Sequence, residues 1–510
     1  MGLLNFGLVS EEKPCAVPNP SGMAVTRLTS LDGSFLRVET QNAHMHVAWS
    51  GLFEPGPGLP RPSLEALCAK VGSRLRRVPR FRQRLAYPPL RLAEPCWVDD
   101  LEFDVARHVT AQGASGVPTS RTEFAEFTDA VLSEPLDRAR PLWHLYLVPL
   151  LEDGRAGVIF KMHHALVDGK SAVELALLLF DLEPDAAPEP EDGWRPARPP
   201  STARLALDAM ASNAAEPLRA ARGIARLAAS KHEGGLTGTL RRAALAFEQD
   251  LMRSAPPSYL NTAIGPRRTL ARHRARMGDL LEAKRRSGVT LNDVCLAALA
   301  GALRRLAAVR GEQPRPLRVM VPVSVRDDME RQALGNRISF AFIELPLTVR
   351  SPRERLRLIN HATASFKSSG RPAGTGTLLG ALGLLPDPLK GRAAQLASSA
   401  RVFNLTISNI PGPRSRVYML GAELSEAYPV VPLGAEHALS VGMFSYRDDM
   451  FFGLYADPET LPEVGELPGL INAEVLALSR LGDKRRARGH ASARRAPALR
   501  AVASPPPPCS

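Results

Sequence analysis

Apolar and polar residues alternate along residues 31–182 with two different periods. A period of two predicts β-strands near residues 45–52, 96–104, 143–150 and 158–162. A helical period predicts helices over residues 63–78 and 123–132, and a buried helix over residues 171–180. Strands that alternate with helices in this way indicate α/β architecture.

The same alternation returns between residues 260 and 482. Helices are predicted over 291–306 and 352–367, and strands over 317–325, 338–347 and 402–408. Two further strands, 438–445 and 450–455, are predicted to form a hairpin around Arg447-Asp448-Asp449. The two halves therefore have a similar order of elements, which suggests two α/β domains.

The segments between and outside these halves differ in composition. Residues 186–258 begin as a Pro-rich acidic linker and continue as an Ala/Leu/Arg-rich stretch with helical periodicity, which predicts a helical bridge. The predicted division is a disordered N-terminal extension (1–22), a first domain (23–185), the linker and bridge (186–258), a second domain (259–482) and a disordered, basic, Pro-rich tail (483–510).

The formal net charge of +13 raises the question of a nucleic-acid partner. Seven Lys and Arg residues lie between Lys484 and Arg500 without any acidic residue, so over half of the excess belongs to the tail. No zinc finger or RNP-like aromatic pattern is present, so nucleic acid is not expected. The sequence shows no apolar run long enough for a transmembrane helix and no signal peptide. Its five scattered cysteines are typical of a reducing cytoplasm.

The motif from His163 to Gly169 is the strongest candidate for chemistry. Two histidines follow the apolar strand near 158–162, and Asp168 and Gly169 follow them. A chance occurrence in a chain of this composition is on the order of one in a thousand. If the strand continues through the pair, the two imidazoles point to opposite faces, and one of them enters a pocket. This divergence disfavours a zinc site, although two core histidines beside an Asp-Gly turn remain an alternative interpretation.

Five other motifs accompany this pattern along the chain: Leu31-Asp-Gly-Ser-Phe35, Pro141-Leu-Trp143, Asn292-Asp293, Leu334-Gly-Asn336 and Ser408-Asn-Ile-Pro-Gly-Pro413. In this order, the six motifs, with His163 to Gly169 third, resemble the bacterial wax ester synthase/acyl-CoA:diacylglycerol acyltransferases, within the HHxxxDG superfamily. The chain departs from the family pattern at His144, where a carboxylate is usual, and at Gly33, where alanine is commoner. The resemblance implies two chloramphenicol-acetyltransferase-like domains, each a mixed β-sheet flanked by helices, joined by a helical linker.

The resemblance also implies roles for the first-half motif residues. His164 is expected to act as the general base that removes the proton of the acceptor alcohol. His163 is expected to be structural support, and Gly169 is expected to let the backbone turn. Asp168 either orients His164 or pairs with an arginine and holds the loop, and the superfamily favours the second role.

In the second half, Asn292 is a candidate donor to the oxyanion, with helix capping as the alternative. Asp293, Ser408 and Asn409 are candidate substrate-binding residues. Basic residues at the mouth are expected to receive the phosphates of CoA; the candidates are Arg138, Arg140 and Arg326.

The expected activity is transfer of a long-chain acyl group from acyl-CoA to diacylglycerol, to a long-chain alcohol, or to both. No cofactor or metal is expected, and no acyl-enzyme is required. Such oily substrates imply association with the inner face of the membrane or with lipid inclusions. A carrier-protein-dependent condensation enzyme and a non-catalytic lipid-binding protein are the alternatives, while the preferred acceptor and the oligomeric state stay open.

Overall fold

The computed structural model describes residues 26–113, 116–166, 179–187, 189–190, 193–229, 253–324, 338–369 and 387–481. The α-helices in this part of the chain are α1 (Ser30–Val38), α2 (Leu64–Arg74), α3 (Arg121–Ser133), α4 (Thr202–Ala229), α5 (Met277–Ser287), α6 (Leu291–Val309), α7 (Pro352–Ser368), α8 (Asp387–Ala397) and α9 (Leu467–Ser479). The strands are β1 (Thr26–Arg27), β2 (His46–Glu54), β3 (Gln83–Ala86), β4 (Cys96–Asp99), β5 (Val109–Ala111), β6 (Trp143–Val148), β7 (Ala156–His163), β8 (Thr269–Arg276), β9 (Leu317–Ser324), β10 (Ile338–Leu345), β11 (Leu405–Pro411), β12 (Tyr418–Met419), β13 (Ala422–Val430), β14 (Leu439–Tyr446) and β15 (Asp449–Ala456).

Two six-stranded sheets form the two halves of the fold. The first has the order β12-β13-β2-β7-β6-β5, and the second has the order β10-β9-β11-β14-β15-β8. Both are mixed, because β5 runs parallel to β6 and β11 runs parallel to β9 and β14, while the other neighbours are antiparallel. A small three-stranded sheet, β1-β4-β3, lies beside the first. The predicted fold class is confirmed.

Strand β7 is buried along its whole length, which explains its apolar sequence. Phe160 on one face stacks near Trp143, with ring centroids 6.0 Å apart. Lys161, on the other face, is only 1% exposed, and its Nζ donates to the carbonyl oxygens of Val131 (2.6 Å) and Glu134 (2.9 Å). These bonds satisfy a charge that would be costly to bury unpaired. They also tie β7 to the end of α3.

The sequence predicted most of these elements within a few residues. The helix predicted over 291–306 is α6, and the predicted hairpin is β14–β15, whose strands pair from Leu439↔Ala456 to Tyr446↔Asp449. Helix α4 lies in the predicted helical bridge and is described as far as Ala229, and most of the helix predicted over 171–180 lies outside the described residues. None of the described helices is both long enough and apolar enough to span a membrane.

Strand β13 departs from the predicted domain division. The sequence division assigned residues 259–482 to the second domain, but the structure places β12 and β13 in the first sheet. Strand β13 pairs antiparallel with β2, from Glu423↔Glu54 to Val430↔Ala48. Local periodicity predicts that a segment is a strand, but it does not show which distant strand it will join.

Two facing glycines allow β13 to lie close to the second sheet. Gly442 of β14 and Gly453 of β15 are directly opposite each other. A Cβ atom at Gly442 would lie only 2.9 Å from the carbonyl oxygen of Pro429, and one at Gly453 would also collide with that carbonyl. The absence of side chains at this pair therefore makes room for the β13 backbone, which links the two sheets.

Candidate active site

His163 is the last residue of β7, and its ring is 1% exposed. The backbone N–H of Ala165 donates to its Nδ1 at 3.0 Å. Because Nδ1 accepts this bond, the proton of the neutral ring must be on Nε2, which lies 3.3 Å from the Glu39 carboxylate. His163 therefore holds the turn that follows it.

Glu39, which directly follows α1, is a site residue that the sequence did not reveal. Its carboxylate contacts both His163 and Arg138. Burial raises the pKa of the Glu39 carboxyl, but the hydrogen bonds that Glu39 accepts from His163 and Arg138, together with the positive charge of Arg138, outweigh burial and lower the pKa to about 2. Glu39 is therefore ionised at neutral pH. Since 124 positions separate it from His163, no local pattern marks it.

Arg138 and Arg140 were candidates for the CoA phosphates. Arg138 pairs instead with Glu39 and donates to the Leu36 carbonyl at 3.4 Å, although its side chain is still 41% exposed. Arg140 is half exposed and lies 3.5 Å from Asp137. The third candidate, Arg326, lies outside the described residues.

Two further histidines lie beside His163. His46 pairs with His163 across the β2–β7 ladder, and the centroids of their rings are 6.1 Å apart. The ring centroid of His44 lies 5.2 Å from that of His46. Burial holds the pKa of His46 well below its usual value, and the backbone N–H of Leu136 donates to its Nε2 at 3.4 Å. In the described part of the chain, no group of three or more His, Cys, Asp or Glu side chains is arranged as a metal site.

His164 begins a single 3₁₀ turn, His164–Leu166, so β7 ends between the two histidines. Its backbone N–H donates to Met45 O at 2.7 Å. Its ring stacks on Phe35, with centroids 3.8 Å apart and planes 20° apart. The ring is half-buried, and burial lowers the pKa of His164 to about 4. Its Nδ1 is buried and has no hydrogen-bond partner among the described residues. Asp168 and Gly169 lie outside them.

The motif from Leu31 to Phe35 lies in helix α1 and supports this stack. Thr29 caps the helix by accepting from Asp32 N–H, and its hydroxyl donates to the Asp32 carboxylate at 2.6 Å. Gly33, the departure from the family pattern, faces the Glu94 carboxylate so closely that a Cβ would collide with it. Glu94 pairs with Arg37 at 2.5 Å. The motif thus fixes the helix that carries Phe35 over His164.

In the second half, Asn292 and Asp293 begin helix α6 and have different surroundings. Asp293 forms a capping box with Thr290, and its carboxylate accepts bonds from Asn360 (2.9 Å) and Thr363 (2.7 Å) of α7. Burial raises the pKa of Asp293, but these hydrogen bonds outweigh it, so the pKa is lowered. All of these contacts are internal to the protein and give no support to substrate binding by Asp293.

Asn292 is half-buried, and its Oδ1 accepts a hydrogen bond from Asn409 Nδ2 at 3.3 Å. Asn409 and Ser408 lie on β11, opposite Met443 and Gly442 of β14. The structure therefore brings together Asn292 and Asn409, which the sequence separates by 117 positions. The strand continues to Pro411, beyond the predicted end at residue 408.

His144, the other departure, belongs to the β5–β6 edge. It shares a 3.0 Å hydrogen bond with Thr110 and stacks on Tyr146 with centroids 4.2 Å apart. Burial lowers its pKa to about 4. The motif Leu334-Gly-Asn336 lies outside the described residues.

Two mixed sheets, with His164 in the turn directly after a central strand, are the arrangement expected for acyltransferases of the chloramphenicol-acetyltransferase-like class. The sequence matches the family model of the wax ester synthase/diacylglycerol acyltransferase catalytic domain over residues 28–295, and that of the WS/DGAT C-terminal domain over residues 334–477. The chain belongs to the wax ester synthase/diacylglycerol acyltransferase family.

Relatives and solved structures agree with this assignment. The chain is 31% identical over 481 residues to a protein named probable diacylglycerol O-acyltransferase tgs1 of Mycobacterium tuberculosis, covering 91% of this chain and 97% of the relative. It is 34% identical over 449 residues to a protein named probable diacylglycerol O-acyltransferase tgs2 of the same organism. This match covers 86% of this chain and 95% of the relative. A solved wax ester synthase/diacylglycerol acyltransferase from Marinobacter aquaeolei VT8 is 26% identical, with a TM-score of 0.63 over 89% of this chain and 98% of that one.

A more distant structure supports only the fold. The trichothecene 15-O-acetyltransferase TRI3 from Fusarium sporotrichioides is 12% identical, with a TM-score of 0.58 over 91% of this chain and 97% of that one.

Proposed function

We propose that this protein transfers a long-chain acyl group from acyl-CoA to diacylglycerol, to a long-chain alcohol, or to both. The products are triacylglycerol and wax ester. The observation that carries the proposal is the state of His164. Its imidazole stacks on Phe35 in the turn directly after the central strand β7, and burial lowers its pKa to about 4, so the ring is neutral at physiological pH.

His164 acts as the general base in this mechanism. The acceptor hydroxyl oxygen attacks the thioester carbonyl carbon while His164 takes the hydroxyl proton. The tetrahedral intermediate then breaks its C–S bond, and the CoA sulfur leaves as the thiolate or takes the proton back from the imidazolium. A ring that stays neutral down to about pH 4 is ready to accept this proton.

Asn292 is our candidate for stabilising the oxyanion. Because its Oδ1 already accepts from Asn409, its amide nitrogen is the group that can donate to a developing negative charge. Ser408 and Asn409 line the acyl pocket in this proposal. Asp168 and Gly169 shape the loop after His164, and Asp293 positions Asn292 through the helix cap.

Glu39 acts through His163 and is a positioning residue. Its carboxylate faces the protonated Nε2 of His163, whose Nδ1 in turn accepts from the Ala165 N–H. This relay holds the turn on which His164 lies, and it resembles the way a third group orients a catalytic histidine.

The proposed substrates imply where the enzyme works. Diacylglycerol and long-chain alcohols reside in lipid phases, so we propose peripheral association with the cytoplasmic face of the membrane or with lipid inclusions. The CoA thioester is supplied from water, and its acyl chain occupies an apolar channel between the two halves.

The test is an ester-forming assay with purified protein. Labelled palmitoyl-CoA is incubated with diolein or with hexadecanol, and products are separated by thin-layer chromatography. We expect ester from the wild type and a fall of at least about 10³-fold in His164→Ala. His144→Asn serves as the matched control, because this half-buried histidine lies on β6, beside the β5 edge of the sheet. No ester from the wild type, or equal ester from His164→Ala, contradicts the proposal. Ester formed only with an acyl-carrier protein supports the condensation-type alternative.

A further inference from the structure

Four large apolar side chains lie exposed at one corner of the first half. Leu90 is 91% exposed and Leu92 is 36% exposed, both in the loop between β3 and β4. Leu207 and Met210 of helix α4 are 62% and 60% exposed. The side-chain amide of Asn213 donates to the Leu92 carbonyl at 2.6 Å and joins the loop to the helix. We call these four residues the apolar corner.

The loop holds Leu90 outward at a conformational cost. Leu90 and Arg91 have φ values of 54° and 52°, so two consecutive non-glycine residues adopt the left-handed conformation. Hydrogen bonds from Arg91 N–H to Pro88 O (3.1 Å) and from Leu92 N–H to Pro89 O (3.2 Å) maintain this turn. Strained backbone that displays a leucine to solvent is typical of a functional surface rather than of packing.

Helix α4 carries apolar side chains on its exposed face as well as on its buried face. Leu205 and Ala209 are buried against the protein. The opposite face carries Ala203, Leu207, Met210 and Ala214, all exposed and spaced at helical intervals. A helix that only bridges two domains is expected to have polar residues there.

Contacts connect the apolar corner to the active site. Arg91 lies over the Tyr87 ring at 5.9 Å, and Tyr87 interacts with Arg138, which pairs with Glu39. Further along the same loop, Glu94 pairs with Arg37 of α1, the helix whose Phe35 stacks on His164. The loop therefore packs against the elements that hold the two catalytic-motif histidines.

From this placement we infer that the apolar corner is the surface by which the protein docks on an anionic lipid layer, from which the acceptor reaches the site. The inference rests on the proposed function. A lone protruding leucine suits insertion into a fluid lipid layer, and Arg91 beside it supplies charge complementary to anionic headgroups. The contacts with Tyr87 and α1 put this docking surface next to the chemistry that consumes the lipid.

Vesicle flotation tests the inference with full-length protein and vesicles of phosphatidylglycerol and phosphatidylcholine. We expect Leu90→Asp and Leu207→Asp each to weaken binding at least 10-fold, and Arg91→Gln to weaken it only when phosphatidylglycerol is present. The controls are Leu101→Asp, at the opposite end of the β3–β4 hairpin, and Val309→Asp, at the end of α6. Their side chains are 52% and 61% exposed, and we expect binding within twofold of the wild type.

Activity on two acceptors separates docking from catalysis. With emulsified diolein, Leu90→Asp is expected to lose at least 10-fold in rate, while its rate with hexanol dissolved in water stays unchanged. Equal loss of binding in the Leu101→Asp control, or wild-type binding by Leu90→Asp, overturns the inference. Analytical ultracentrifugation tests whether the apolar corner instead contacts a second copy of the chain. If Leu90→Asp changes the sedimentation coefficient but not vesicle binding, the docking inference is overturned and the corner is an interface between two copies. A wild type that binds vesicles but forms no ester contradicts only the proposed function.

Discussion

The rings of Phe35 and His164 are stacked 3.8 Å apart and only 20° from parallel. The stack joins a residue of the first motif to a residue of the central motif, and it keeps water away from one face of the imidazole. The short motif from Leu31 to Phe35 thus acts on the proposed base through helix α1.

Replacing Phe35 by alanine is expected to lower kcat about 10-fold with little change in KM for acyl-CoA, because the base loses its fixed orientation. Phe35→Leu keeps an apolar cover and is expected to retain more activity. Steady-state kinetics of the two variants measure the difference. Equal losses of kcat in both variants would show that the aromatic stack does not matter.

The pH dependence of kcat/KM reports the state of His164 in the free enzyme. Burial lowers the pKa of His164 to about 4, and the base works only when it is neutral. Activity is therefore expected to stay level at neutral pH and to fall as the pH drops towards 4. In Phe35→Ala the fall is expected at higher pH, because the ring becomes better solvated. Tryptophan fluorescence at each pH checks that the enzyme is folded. An acidic limb centred near 6.5 in the wild type would contradict this assignment.

Replacing Glu39 by glutamine tests the positioning role of its charge. Because the folded pKa of Glu39 is lowered from 4.5 to about 2, the charge stabilises the fold above pH 4.5, and this contribution is lost as the pH falls towards 2. A shift of this size corresponds to about 3 kcal/mol. Urea unfolding is expected to show a stability loss of that order at pH 7 and a smaller loss at pH 4, with kcat reduced at least 10-fold.

Glu102→Gln is the matched control for Glu39→Gln, since the side chain of Glu102 is 85% exposed. It is expected to leave both the unfolding free energy and kcat unchanged. A Glu39→Gln variant with wild-type kcat would limit Glu39 to a role in stability.

Asn292 and Asp293 are neighbours, but their substitutions are expected to affect different properties. Substitution of Asp293 lowers stability, whereas substitution of Asn292 lowers kcat. Asp293→Ala removes the helix cap and the bonds from Asn360 and Thr363, so it is expected to cost about 2–4 kcal/mol of stability. Asn292→Ala is expected to change stability little and to lower kcat about 10²-fold, as loss of an oxyanion donor does. Thermal unfolding and kinetics of both variants check this. Wild-type kcat in Asn292→Ala would exclude the oxyanion role.

Gly33→Ala tests the close approach of Glu94 to helix α1. The new methyl group collides with the Glu94 carboxylate, which Arg37 holds in place, so a destabilisation of about 1–3 kcal/mol is expected. Glu94→Ala in the same chain is expected to relieve much of that cost, and a double-mutant cycle measures the coupling. Gly72→Ala in α2 is the control, because nothing lies within 4 Å of its added Cβ. Additive effects of Gly33→Ala and Glu94→Ala would contradict the collision.

Local patterns in the sequence predicted much of the fold. The alternation of Val158, Phe160 and Met162 indicated β7, which is buried on both faces, and the apolar run after Asn292 indicated α6. The family motifs indicated the two-sheet architecture, which is confirmed. These successes share a cause: period and motif order are properties of consecutive residues.

Features that depend on distant pairing could not be predicted in this way. Glu39 meets His163 across 124 positions, and the hydrogen bond from Ser425 to the Leu52 carbonyl spans 373. The local sequence around Glu39 or around β13 does not show which distant residue either of them will contact. The prediction that the two imidazoles point to opposite faces depended on a strand that continues through both residues, but β7 stops at His163 and a 3₁₀ turn begins at His164, so the strand pleat does not set the direction of the second ring.

The pairing of β13 with β2 limits where the chain can be cut into separate domains and how far the two halves can move apart. Because this strand completes the first sheet, a chain cut anywhere before residue 418 leaves the β2 edge without its partner and open to aggregation. A linker between the halves is therefore not a safe site for separation, even though the halves have similar element orders. The same strand, lodged against the glycine pair of the second sheet, also opposes a wide hinge motion between the halves. We therefore expect substrates to enter and leave without a wide separation of the two halves.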